Sequence, residues 1–97
     1  MERLTLLGLL LDPVDMEEAL KRIGGFLQEE RTHQVVTLNP EIAVRAQEDE
    51  ALRRAVLEAE LVTPDGVGIL WAVRRLHGLS LKERVTGIDL TLALLRR

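Results

Sequence analysis

Gln34-Val35-Val36-Thr37-Leu38-Asn39-Pro40-Glu41 is the stretch on which the fold turns. Its β-branched residues suit a pleated, half-buried strand. Asn39-Pro40-Glu41 ends that strand with helix-start chemistry: a cap, a proline at the first helical position, and an acid near the positive end of the helix dipole. A strand over Gln34 to Leu38 that hands over at once to a helix is the opening of a β-α unit. The pattern recurs downstream, where Glu60 to Thr63 reads as a brief strand closed by Pro64-Asp65-Gly66. Val67 to Leu76 then reads as a helix, apolar on most faces and so expected to lie buried between other elements, with His77-Gly78 closing it.

Between these units, the helix from Pro40 through about Ala59 is expected to break near Glu48-Asp49, because Asp49 can cap a second piece that turns Leu52, Val56 and Leu57 inward. Upstream, Leu4 to Leu11 is an apolar run interrupted by Thr5 and Gly8 and bounded by Asp12-Pro13, which suits a strand or a strand pair better than a helix. Asp15 starts a helix, with Glu18 at capping-box spacing. Met16, Ala19, Leu20, Ile23, Phe26 and Leu27 form its buried stripe. Gly24-Gly25 weakens that helix and suggests close packing on a neighbour. Near the C-terminus, Arg84-Val85-Thr86-Gly87 leads into a last helix from about Ile88, carrying Leu90, Leu92, Leu94 and Leu95.

Strands alternating with helices predict parallel pairing through right-handed crossovers. The expected fold class is therefore α/β, a partial Rossmann-like open parallel sheet with flanking helices, forming a single domain over residues 1–97. The elements amount to about half of a doubly wound domain, and the last helix has no following strand to return to.

Composition narrows the function. At 46% hydrophobic and 30% charged residues the chain should fold rather than stay disordered. With one Phe and one Trp, its core must come from Leu, Val, Ile and Ala, so stability is expected to be thin. A net charge of −3 argues against a broad surface for the phosphate backbone of nucleic acid. The absence of cysteine removes disulfides, zinc–thiolate sites and thiol nucleophiles. The N-terminus does not read as a secretion signal, and no apolar stretch reaches the ~20 residues that span a bilayer. A cytoplasmic location is the resulting expectation.

In open α/β sheets, ligands bind beyond the carboxyl ends of the strands, where loops diverge and helix N-termini point outward. There the sequence places Thr37 and Asn39 after one strand and Asp65 after the other. Each has a plainer reading as well. Asn39 is a natural cap ahead of Pro40, which does not exclude ligand contact. Thr37 is a β-former, and Asp65 before Gly66 is either a cap or a catalyst. Gly66-Val67-Gly68 is too short for a dinucleotide fingerprint and fits tight turning or close backbone approach. Arg84 beside a helix N-terminus could fork onto a diphosphate, although a solvated arginine is the plainer alternative. His33 and His77 have no evident partners for a metal site or a triad. Trp71 reads as core, and Arg74-Arg75 as solvated surface.

Three linked motifs, Val35-Val36-Thr37-Leu38-Asn39-Pro40-Glu41, Ala59-Glu60-Leu61-Val62-Thr63-Pro64-Asp65-Gly66-Val67-Gly68-Ile69 and Glu83-Arg84-Val85-Thr86-Gly87-Ile88-Asp89-Leu90, together resemble the WecG/TagA/CpsF glycosyltransferase family. The resemblance runs over essentially the whole chain. It implies transfer of an N-acetylmannosamine-type sugar from a UDP-sugar donor to a polyprenyl-diphosphate-linked N-acetylglucosamine, in making wall teichoic acid or surface polysaccharide. No metal and no cofactor are implied.

By position, Asp65 resembles the general base on the acceptor hydroxyl, Thr37 and Asn39 resemble sugar-pocket contacts, and Arg84 resembles a diphosphate partner, with Gly66 and Thr86 as further expected substrate-binding residues. Family members continue well beyond residue 97, with further strands, much of the uridine pocket and a terminal segment that docks on the membrane. That difference leads to an expected exposed sheet edge and apolar helix face, and so to self-association or a C-terminal partner. The alternative to an enzyme is an inactive α/β fragment serving as an interaction module. Laying Leu90 to Arg97 on the membrane as an amphipathic helix ranks below burying it.

Overall fold

The computed structural model describes residues 2–96. Leu4–Leu6 (β1) and Leu9–Leu11 (β2) pair antiparallel across a turn whose central residues, Leu7 and Gly8, both have positive φ, 51° and 76°. Two left-handed residues give a turn whose twist matches that of the paired strands. Gln47 Nε2 holds the Leu7 carbonyl at 3.0 Å, which helps to fix a conformation that leucine rarely adopts. Asp15 then caps Met16–Phe26 (α1), its carboxylate accepting from the Glu18 N–H at 2.9 Å.

Val35–Leu38 (β3) and Leu61–Pro64 (β4) form the parallel pair expected from the sequence, in the register Val35↔Leu61, Val36↔Val62, Thr37↔Thr63 and Leu38↔Pro64. They are joined by Pro40–Arg45 (α2) and Glu50–Glu58 (α3), with the break between them where Asp49 caps α3 through the Leu52 N–H at 3.0 Å. Val67–His77 (α4) and Gly87–Leu95 (α5) complete the order.

Side chains alternate across a sheet, and the two faces of β3 and β4 are buried in different cores. Leu38 and Val62 pack with Ala43, Ala46, Val56, Ile69 and Val73 of α2, α3 and α4, together with the β1–β2 hairpin. Leu61 and Val35 pack with Ala19 and Ile23 of α1 and with Val85 and Leu90. Helices therefore cover both faces of a small parallel sheet, an α/β arrangement.

The free edge of β4 is met by Asp12, an interaction that the sequence reading missed by treating Asp12 as turn punctuation. The Asp12 N–H donates to the Val62 carbonyl at 2.8 Å, and the Val62 N–H donates back to Asp12 Oδ2 at 2.7 Å. Asp12 is only 1% exposed. Its charge is answered by Arg3, which donates through Nε and Nη2 at 2.9 and 3.1 Å, and by Arg22 at 3.7 Å. A buried carboxylate is tolerated when paired and hydrogen-bonded in this way.

Several burial expectations are corrected. α4 is not enclosed: Ile69 and Val73 are buried, but Trp71, expected in the core, is 66% exposed, and Val67 is equally open. In α5, Leu90 is buried whereas Ile88, Leu92 and Leu95 face outward. The reason is geometric, since one sheet face covers one stripe of a helix and these helices carry more apolar residues than one stripe holds. Leu27 lies past the end of α1 and is exposed. Gly25 adjoins open space, so close packing does not explain it. Of the Leu90 to Arg97 segment, Arg97 lies outside the described residues.

Candidate active site

The ends of β3 and β4 lie side by side, and the Asp65 N–H extends their ladder by donating to the Leu38 carbonyl at 2.9 Å. The Thr37–Asn39 and Asp65–Gly66 turns thus share one rim. Asn39 caps α2, its Oδ1 accepting from the Ile42 N–H at 2.8 Å, so the capping expectation holds while the amide NH₂ remains uncommitted among the described residues. Gly66 caps α4 with φ 103°, a backbone shape that a side chain would strain.

Pro40 packs against both glycines of the Gly66-Val67-Gly68 turn. A Cβ on Gly68 would stand 2.9 Å from Pro40 Cγ, and one on Gly66 would stand 3.6 Å from Pro40 Cδ. The close-approach reading of these glycines is therefore the one the geometry supports.

The third motif reaches the same rim. The Val85 N–H donates to the Pro64 carbonyl at 2.6 Å, and the Thr63 hydroxyl donates to the Val85 carbonyl at 3.1 Å. Gly87 sits over Thr37, with a Cβ position 3.5 Å from Thr37 Oγ1. Thr86 caps α5 by accepting from the Asp89 N–H at 3.1 Å, which leaves its own hydroxyl proton to donate. Asp65 is half-buried, and its carboxylate has no hydrogen bond or ion pair among the described residues. Arg84 is exposed and makes no ion pair among the described residues, consistent with either solvation or a ligand role.

The rim therefore offers an uncommitted carboxylate, the Asn39 amide, the Thr37 and Thr86 hydroxyls, and the N-termini of α4 and α5. Two open hollows adjoin it without including Thr37, Asn39 or Asp65: one of about 660 Å³ runs along α2 from Pro40 past Val44, and one of about 460 Å³ along α5 from Gly87 to Leu92. A more enclosed cleft of about 520 Å³ lies elsewhere, between Asp15, Glu18 and Lys21 of the α1 start and Leu81-Lys82. Acids crowd that helix N-terminus and Asp15 is already spent as its cap, so it suits an anionic ligand less well than the rim does.

The histidines also have partners that the sequence did not reveal. His33 stacks on Phe26 with ring centroids 4.4 Å apart, and its Nδ1 meets Glu60. Its Nε2 lies 2.6 Å from Glu29, close enough to pair but out of line for a hydrogen bond. The two nitrogens face different carboxylates, so these groups do not converge on a common point. His77 Nε2 meets the Thr5 carbonyl at 2.8 Å, tying α4 to β1. Thr63, buried at the end of β4 and bonded to Val85, is a polar residue to which the sequence assigned no role. Its signal was a hydroxyl among buried apolar neighbours.

Residues 4–97 match the Glycosyl transferase WecG/TagA/CpsF family, and the chain belongs to that family. It is 33% identical over 70 residues to the N-acetylglucosaminyldiphosphoundecaprenol N-acetyl-beta-D-mannosaminyltransferase of Bacillus spizizenii. That match takes in 72% of this chain and 27% of the relative, so the chain spans well under two thirds of the relative's length. Among the described residues no helix is long and apolar enough to cross a membrane.

Proposed function

We propose that the chain carries the acceptor-activating part of a glycosyltransferase site. In this reading an N-acetylmannosamine-type sugar moves from a UDP-sugar to a polyprenyl-diphosphate-linked N-acetylglucosamine, for wall teichoic acid or surface polysaccharide. The supporting observation is the shared rim, on which the Asp65 carboxylate, unpaired among the described residues, lies at the start of α4 beside the Asn39 turn.

Asp65 takes the proton of the acceptor hydroxyl as that oxygen attacks the anomeric carbon, and the bond to the nucleoside diphosphate breaks with inversion. General-base assistance of this kind is worth roughly 10²–10⁴ in rate. Thr37 and the Asn39 amide contact the sugar, and the Gly66 backbone lets it approach. Arg84 and Thr86, at the start of α5, face the leaving diphosphate, whose growing negative charge suits a guanidinium and a helix dipole. In this reading no metal or cofactor takes part in the transfer. The lipid-linked acceptor places the reaction at the inner face of the cell membrane, with a cytoplasmic, peripheral protein. The test is transfer from UDP-N-acetylmannosamine to a short polyprenyl-diphosphate N-acetylglucosamine by a protein of the relatives' length carrying these residues. Product formation supports the reading, and absence of product in the folded protein contradicts it.

A second reading, an interaction module that associates with itself or with a C-terminal partner, is favoured by one observation. Ile88, Leu92 and Leu95 make an exposed apolar stripe on α5, and Val67 and Trp71 another on α4. Contiguous apolar surface of this kind marks association. Sedimentation distinguishes the two: an oligomer that ignores UDP-sugar favours the module, and a monomer that binds UDP-sugar favours the enzyme.

A further inference from the structure

Val85 is held at both ends of its backbone. Its N–H donates to the Pro64 carbonyl at 2.6 Å, and its carbonyl accepts the Thr63 hydroxyl at 3.1 Å. Thr63 and Val85 are both fully buried, at 0% exposure. A buried hydroxyl is costly unless satisfied, and an orphaned buried carbonyl equally so. Each is the other's remedy. The rest of β4, Leu61, Val62 and Pro64, is apolar and buried, so packing alone would place a valine at position 63.

The residues on either side of Val85 are Arg84 and Thr86, and the residue two after Thr63 is Asp65. Residues 79–86 form neither helix nor strand. Their other polar ties are at the surface, where Glu83 Oε1 accepts from the Met16 N–H at 3.0 Å and Lys82 lies 3.9 Å from Asp15, and at the start of α5, where Thr86 accepts from the Asp89 and Leu90 N–H groups. In the parallel register Thr37 is directly opposite Thr63, so both side chains leave the same sheet face, the one crossed by Gly87.

From this geometry we infer that Thr63 is a positioning residue. Its hydroxyl clamps the Arg84–Gly87 segment to the end of β4 and fixes the spacing between Asp65 on one side and Arg84 and Thr86 on the other. It touches no ligand. The inference rests on the proposed glycosyltransferase site for its functional consequence, but the clamp itself is readable without substrate.

The experiment compares the wild-type chain with Thr63→Val and Thr63→Ser by amide hydrogen exchange and by titration with UDP, both followed by NMR. Thr63→Val raises exchange at the Val85 N–H, which is bonded to the Pro64 carbonyl, by roughly tenfold relative to Val62 and Val36, the loss expected for one buried hydrogen bond. UDP affinity falls by roughly fivefold, because the clamped segment no longer arrives pre-ordered. Thr63→Ser, which keeps the hydroxyl, returns both to within about twofold of wild type.

Exchange in Thr63→Val equal to wild type, or a Thr63→Ser that behaves like Thr63→Val, overturns the clamp. Should Thr63→Val not fold, the wild type still decides: a slowly exchanging Thr63 hydroxyl proton supports the clamp, and a freely exchanging one overturns it. A wild type that ignores UDP while the exchange results hold sinks the functional reading and leaves the clamp standing. Intact UDP binding with unchanged exchange sinks the clamp alone.

Discussion

The Asp65 N–H donates to the Leu38 carbonyl at 2.9 Å. This bond continues the parallel ladder one residue past the end of β4 and sets the Asp65 turn against the Asn39 turn. Backbone hydrogen bonds, rather than flexible side chains, define the separation of the two turns, which is the kind of support a site requires if its groups are to act together.

Asp65→Asn keeps the shape of the turn and removes the base. In a protein of the relatives' length, turnover should fall by roughly 10²–10⁴ while thermal stability stays within about 0.5 kcal/mol of the parent. Steady-state kinetics alongside a melting curve check both halves. Unchanged turnover removes Asp65 from the base role.

Asp12→Ala leaves Arg3, Arg22 and the Val62 N–H without their common partner. Breaking a buried pair costs about 3–5 kcal/mol, and the partial solvent access of both arginines puts this case near 3. For a domain of this size each kcal/mol is worth ~4–8 °C in melting temperature. Asp12→Asn retains an oxygen for Val62 and should fall between wild type and Asp12→Ala in urea denaturation.

The glycines give a prediction of sign. Gly25→Ala meets open space in a helix and should stabilise by about 0.4–1 kcal/mol through the unfolded chain. Gly68→Ala gains similarly in helix propensity but drives its Cβ to 2.9 Å from the Pro40 ring, whose overpacking costs roughly 1–3 kcal/mol. Denaturant midpoints should therefore move in opposite directions for the two variants.

Trp71→Lys with Leu92→Lys places charge on both exposed apolar faces without entering the core. If those faces associate, sedimentation should show a smaller species than the parent at equal concentration, with an unchanged far-UV spectrum. Identical sedimentation would show that neither face mediates contact.

What the sequence disclosed was local. Val35-Val36 with Asn39-Pro40 set a strand against a helix start, and Asp15, Asn39 and Asp49 announced their caps because a cap needs only the next three residues. The shared rim followed from parallel pairing. Long-range polar partners were not legible. Asp12 meets Val62 fifty residues away, Thr63 meets Val85 twenty-two away, and His33 meets Glu60 twenty-seven away. Nothing in a neighbouring residue signals such pairings. Trp71 misled for a related reason, since apolar character says that a face prefers cover and not whether these residues supply it.

The central claim is that the Thr37–Asn39, Asp65–Gly68 and Thr86–Gly87 turns form one nucleotide-sugar rim. Its most direct test is an NMR titration of the isotope-labelled chain with UDP-N-acetylmannosamine. The account predicts that amides of all three turns shift together along one saturable curve. Shifts confined to the cleft between Asp15 and Lys82, or no shifts from the folded chain at millimolar ligand, would contradict it.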